Sequence, residues 1–190
     1  MKKILSLVLV LALAVSMAAC TPANNQGDNG GSTEAKGPES ALVAMQTIWD
    51  KYSEEKFFAA GGDTNNMVDG APGTVDLKNT DFVTYNLLVP EAEQANITEA
   101  ASLMHAMNAN SFTGAVYKVS DAKAFGNAMK TAIMGNQWMC GFPDTLLIAS
   151  LGGGYVLVAY GINDAMTPFK TAMEASFPEA EILVNDAITG

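Results

Sequence analysis

TLLIASLGGGYVLVAY (Thr145–Tyr160) holds two apolar runs on either side of a glycine triplet, Gly152, Gly153 and Gly154. Runs of this length, rich in Leu, Val and Ile and broken by Gly, read as two antiparallel strands joined by a tight turn. Working outward, Ser120-Asp121 begins a helical pattern with Phe125, Ala128, Met129, Ala132 and Ile133 on one face, closed by Gly135. Before it, Phe112 to Val119 alternates as a strand. After the paired strands, Asn163-Asp164 or Thr167-Pro168 starts a helix that turns Phe169, Ala172 and Met173 inward, and Glu181 to Asn185 supplies a last strand. Strand, helix, strand, strand, helix, strand is the ferredoxin-like βαββαβ order, so an α+β fold on an antiparallel sheet is expected.

The two hairpin strands are apolar on both sides: Leu146, Ile148, Val156 and Val158 alternate with Leu147, Ala149, Leu157 and Ala159. A strand that reads as a continuous apolar run is covered on both faces. A split motif places its two helices on one face, so the other needs a second cover. The expected cover is an N-terminal amphipathic helix from Glu39 to Ala59, closed by Gly61-Gly62. It carries Leu42, Met45, Ile48, Trp49 and Tyr52 on one side and Asp50, Lys51, Glu54 and Glu55 on the other. The alternative cover is a second copy of the chain; a monomer is preferred.

Three intervening stretches complete the body. Asp63 to Thr80 is a loop rich in side-chain oxygens. Asp63 and Asn65 begin it like a calcium loop, but Val68 stands where Gly is required and no Glu follows at the right distance, so an ordinary solvated loop is expected. Phe82 to Val89 alternates and reads as a half-exposed strand ended by Pro90. Glu91 to Asn108, rich in Ala, Glu and Met, reads as mostly helical.

The N-terminus carries an address. Met1-Lys2-Lys3 is positive, and Ile4 to Val15 is apolar but too short to span a bilayer. Met17-Ala18-Ala19-Cys20 resembles the lipobox of bacterial lipoproteins, with Met17 where Leu is usual. The resemblance implies a diacylglyceryl thioether on Cys20, cleavage before it and N-acylation, with palmitate-type chains enough for a durable anchor. An ordinary secretory signal cut after Ala19 is the alternative. The expected organisation is a signal peptide over 1–19, lipidated Cys20 and a tether over 20–37, and one globular domain over 38–190. The tether, polar and rich in Gly and Asn, is a flexible coil that would span roughly 20–25 Å. The expected location is the extracytoplasmic face of the cell membrane, held by lipid.

Gln137 to Ile148 (QWMCGFPDTLLI), together with the lipobox, resembles an uncharacterised family of bacterial lipoproteins with an extracytoplasmic domain of unknown function. The resemblance runs over about residues 82–184 and implies no activity, substrate or catalytic residue.

Composition narrows function by exclusion. Ten Lys against twenty Asp and Glu, with no Arg, give a formal charge of −10, and loss of Lys2 and Lys3 with the leader makes it −12. Phosphate neutralisation needs clustered cations, so nucleic acid is set aside. The missing Arg also removes the forked donor that grips phosphate and carboxylate ligands. His105 is the one histidine, and nothing near it marks a nucleophile or a metal triplet. Met104, His105, Met107 and Cys140 are candidate soft-metal ligands, but Met at such spacings is usually core filler, and no metal or other cofactor is expected. With Cys20 lipidated, Cys140 has no disulfide partner, and Trp138, Met139 and Phe142 around it suggest a buried, inert thiol. Gly152-Gly153-Gly154 lacks the helix start and Lys of a phosphate cradle. Glu91 with Glu93, and Glu179 with Glu181, sit at element ends where solvated charge is the default. The preferred function is a non-enzymatic, membrane-anchored binding domain for an envelope protein or small molecule. The alternative is an enzyme or transporter accessory acting on an envelope substrate.

Overall fold

The computed structural model describes residues 36–52 and 56–189, so the leader, Cys20 and nearly all of the tether lie outside the described residues. Its elements in chain order are α1 (Ala41–Asp50), β1 (Ala59–Gly61), β2 (Val68–Asp69), β3 (Gly73–Thr74), a π-helical turn (Phe82–Asn86), α2 (Glu91–Gln94), β4 (Ile97–His105), β5 (Phe112–Val119), α3 (Ala122–Met134), β6 (Thr145–Gly152), β7 (Tyr155–Gly161), α4 (Asn163–Ser176) and β8 (Glu181–Ala187). One eight-stranded antiparallel sheet runs β2-β1-β4-β5-β7-β6-β8, with β3 also on the outer edge of β4. Among the described residues no helix is long and apolar enough to cross a membrane.

The β6–β7 hairpin is as its sequence requires. Leu147 faces Ala159 and Ile148 faces Val158 across the ladder. Gly152, Gly153 and Gly154 all hold positive φ (85°, 56° and 79°), a region costly for side chains with a Cβ. The period of two distributes side chains cleanly: Leu146, Ile148, Val156 and Val158 fall in one core, and Leu147, Ala149, Leu157 and Ala159 in the other.

The β5-α3-β6-β7-α4-β8 succession matches the βαββαβ reading, but the sheet order does not match the ferredoxin-like arrangement. β8 pairs with β6, and the side of β5 where a ferredoxin-like sheet would place it is taken by β4. The consequence follows from handedness. β5 and β6 are parallel and separated by β7, while β7 and β8 are parallel and separated by β6. Both crossovers move the same way across the sheet, but they start from strands of opposite direction. Right-handed crossovers then place α3 and α4 on opposite faces. The cores agree: Phe125, Met129 and Ile133 of α3 join one, and Met166, Phe169 and Met173 of α4 join the other. The expectation of both helices on one face is therefore overturned.

The sheet is covered on both sides, with a different division of labour from that expected. α1 packs beside α4 over β4 and β5, burying Ala41, Ala44, Met45, Ile48 and Trp49. Its start is fixed twice, by Ser40 Oγ accepting the Val43 N–H at 3.1 Å and by Glu99 Oε1 accepting the Ala41 N–H at 2.7 Å. α3 shares the opposite face with Phe82, Val83, Leu87 and Val89.

Three local expectations are corrected. The first helix stops at Asp50, and Ala59 to Gly61 instead form β1, paired with Leu103, Met104 and His105. Phe82 to Val89 is no strand: β1 and β3 already occupy the outer edge of β4, and Tyr85, on the supposed inner face, is 76% exposed. Asn79 instead starts a turn by accepting the Phe82 N–H, and Leu87 N–H reaches Phe82 O at 3.2 Å. Glu91 to Asn108 is helical only over Glu91–Gln94, and Ile97–His105 forms β4, held by partners on both sides. The helix preference of Ala loses there because Ala100 and Ala101 put small side chains on two packed faces, with α1 over one.

Candidate functional site

One end of the sheet gathers the C-termini of β4 and β7, the N-termini of β5 and β6, the C-terminus of α1 and the N-terminus of α4. Between these elements lies an open cleft of about 660 Å³. Tyr52, Phe57 and His105 form one wall, and the first turns of α4, with Asn163, Asp164 and Pro168, form the other. Phe57 stacks on His105 with centroids 5.6 Å apart and planes 16° apart, and reaches Phe112 at 4.9 Å and Trp49 at 5.1 Å. The wall is thus the outer edge of the core.

The opposite wall is set by α4. Asp144 Oδ2 accepts the Asn163 N–H at 2.8 Å, and Asn163 Oδ1 accepts the Thr145 hydroxyl at 2.8 Å. The helix begins at Asn163, so Pro168 lies past its first turn and has no N–H to give the Asp164 carbonyl. Asp164 itself is exposed and sits where negative charge suits the helix dipole. The lining therefore offers a carboxylate and a carbonyl without its usual helical partner, and its described residues include neither Lys nor Arg.

His105 ends β4 and is not on a helix. Its Nδ1 accepts the N–H groups of Met107 (3.2 Å) and Asn108 (3.3 Å), which puts the ring proton on Nε2 and commits the ring to holding the β4–β5 turn. No group of three or more His, Cys, Asp or Glu able to hold a metal occurs among the described residues.

Met104, His105 and Met107 do come together, lining a second cavity of about 250 Å³ with Met67, Phe82 and Asn86. Cys140 lies beside the same turn: Asn108 Nδ2 donates to Cys140 O at 3.2 Å, and Asn110 Nδ2 donates to Met139 O at 2.7 Å and Gly141 O at 3.0 Å. The expectation of a buried thiol is overturned: Cys140 is free and exposed, at φ 62°, in a loop whose carbonyls are held by Asn108 and Asn110. Trp138 is the residue that turns inward, meeting Tyr160 at 5.2 Å with its Nε1–H buried and unpartnered.

Asp63 is not a solvated loop residue either. It is 2% exposed and accepts the N–H groups of Asp76 (2.5 Å), Asn65 (2.7 Å) and Asn66 (3.2 Å). Burial pushes its pKa up, but these bonds together outweigh that and leave it below 3.8. Its carboxylate is spent on the loop. Of the carboxylate pairs, Glu181 bonds Lys123 at 3.1 Å and Glu93 accepts from Asn96 at 3.1 Å; neither pair faces a cleft wall described above.

Sequence reasoning named His105 but missed Tyr52, Phe57, Asp164, Pro168 and Met67. Tyr52 was visible only on the apolar face of the first helix, Phe57 was not singled out, and Asp164 was visible only as a helix start. No protein-family model matches the chain, and neither a curated protein nor a solved structure matches it.

Proposed function

We propose that this chain is a lipid-anchored extracytoplasmic lipoprotein whose body is a non-catalytic receptor for a small organic cation, held in the cleft between His105 and the start of α4. The observation that carries the ligand class is the lining: an exposed carboxylate at Asp164 in one cleft with the rings of Phe57 and Tyr52, and no Lys or Arg among the described lining residues. A carboxylate and an aromatic face together attract an ammonium group, and the strongly negative chain adds to the pull. Binding is preferred over catalysis because the one histidine gives its Nδ1 to two backbone amides.

The lipobox at Met17-Ala18-Ala19-Cys20 supports the anchor, and the resemblance of Gln137–Ile148 to uncharacterised bacterial lipoproteins agrees with it. The geometry of the body fits the same reading. Its described chain enters at the β6–β7 turn, where Gly37 packs against Gly152 and Gly153 and Tyr155 hydroxyl donates to Glu39 O at 3.3 Å. The cleft is at the far end of β7, past Gly161. At about 3.3 Å per residue a strand of this length separates the two by roughly 20 Å, so the cleft lies at the end of the body opposite the point where the tether joins it.

Two measurements test the reading. Fractionation of cells should find the protein with the membrane and the Cys20→Ser form released; a Cys20→Ser form that stays with the membrane refutes the anchor. Ligand-observed NMR with choline, putrescine and benzylamine should give saturation transfer that Asp164→Asn and Phe57→Ala abolish. Transfer that survives both substitutions removes the cleft from the proposal.

A further inference from the structure

We propose that the cavity lined by Met67, Met104 and Met107 is a Cu(I) site built from three thioethers. It goes beyond the receptor reading and does not depend on it. The three methionines come from separate stretches of chain. Met104 is in β4 opposite Ala60 of β1; Met67 precedes Val68, which pairs with Gly61; Met107 lies just past the end of β4. The sheet thus delivers them to one hollow of about 250 Å³.

Core filling does not account for them. Met67 is 67% exposed and Met107 78% exposed, while Met104 is half-buried at the floor. Such exposure of two unbranched apolar side chains beside one cavity is costly unless something recruits their sulfur atoms. The harder donors nearby are already engaged. Asp63 gives its carboxylate to backbone amides, and His105 accepts two N–H groups at Nδ1. His105 is therefore a positioning residue: it holds the turn that carries Met107. What remains free to coordinate is uncharged, the three thioethers and the Asn86 amide, and the soft thioethers favour Cu(I) over Zn²⁺ or Cu²⁺. The net charge of −10 favours a cation further. Cys140, though exposed near the same turn, is not among the residues lining the hollow.

The test is anaerobic titration of the full-length chain in detergent with a Cu(I)–acetonitrile complex against a chromophoric Cu(I) chelator. One equivalent should be withdrawn from the chelator at micromolar concentrations. Met67→Leu, Met104→Leu and Met107→Leu combined should weaken binding at least tenfold, and blocking thiols with N-ethylmaleimide should leave it unchanged. Leu matches Met closely in volume, so the fold should persist, as circular dichroism will report. If the triple variant does not fold, Met67→Leu and Met107→Leu, both at exposed positions, carry the test singly. No withdrawal by the native chain, undiminished binding by the folded Leu variants, loss on thiol blocking, or Zn²⁺ bound as tightly as Cu(I) would each overturn the assignment.

Discussion

Asp63→Asn isolates the interaction that holds the long loop between β1 and the π-helical turn. In the native chain Oδ1 of Asp63 accepts the Asn65 and Asn66 N–H groups, and Oδ2 accepts the Asp76 N–H and, at 3.4 Å, Asn66 Nδ2. An amide has one oxygen. If it stays with Asn65 and Asn66, its NH₂ group meets the Asp76 N–H donor to donor. The substitution therefore removes the charge-assisted bond from Asp76, with the longer one from Asn66 Nδ2, and leaves a buried N–H unpaired, a loss of about 3 kcal/mol. With a urea m-value of about 2 kcal/mol/M, the unfolding midpoint should fall by about 1.5 M. The pH dependence gives a second reading. Burial raises the Asp63 pKa, but the amide bonds more than offset it, so the folded value lies below the unfolded 3.8. A depressed folded pKa means the stabilisation is fully present above about pH 3.8 and is lost as pH falls through the folded value. The gap between native and variant midpoints should accordingly be constant from neutral pH to about pH 5 and narrow below about pH 4. Urea titrations followed by tryptophan fluorescence measure both. A neutral-pH gap below about 0.5 kcal/mol, or one that widens on acidification, would refute the loop-holding role.

Other outcomes follow from the same coordinates. Cys140 is exposed, so a thiol reagent should label it within minutes in the native protein without loss of helical signal; protection until denaturation would contradict the loop geometry. Gly37 has Gly152 and Gly153 backbone where a Cβ would sit, so Gly37→Val should free the segment before α1 and raise its protease sensitivity, with about 1–2 kcal/mol lost. Since both faces of the sheet are covered within one chain, size exclusion with light scattering should return the monomer mass, and a concentration-independent dimer would contradict it. Trp138→Phe removes the buried, unpartnered Nε1–H while keeping the ring contact with Tyr160, so thermal melts should show stability unchanged or raised by about 1 kcal/mol.

Where periodicity was strong, reading and structure coincide. Phe112–Val119, the helix closed at Gly135, the glycine hairpin and the last helix all stand within a few residues of their expected bounds. The misreadings cluster between Asp50 and Asn108, where the determining partner lies far away in sequence. β4 carries an Ala-rich sequence that would do well as a helix, and only its pairing with β5, β1 and β3 makes it a strand. Phe82–Val89 carries an alternating sequence, but the outer edge of β4 is already taken by β1 and β3. The candidate site was legible only in fragments, because its walls come from α1, β4 and α4, whose meeting is a property of the sheet order.

What the chain determines by itself is local: which residues alternate, where glycine permits a turn, and the charge. These depend on neighbours within one or two turns, and every side chain carries that information. Which edge of the β5-β7-β6 array receives β8 is not local. That choice, coupled to right-handed crossovers, sends α3 and α4 to opposite faces and brings α1 beside α4. It thereby opens the cleft beside Phe57 and His105. Only packing of the whole chain decides it, because both edges offer the same backbone hydrogen bonds and differ only in what each helix can then bury.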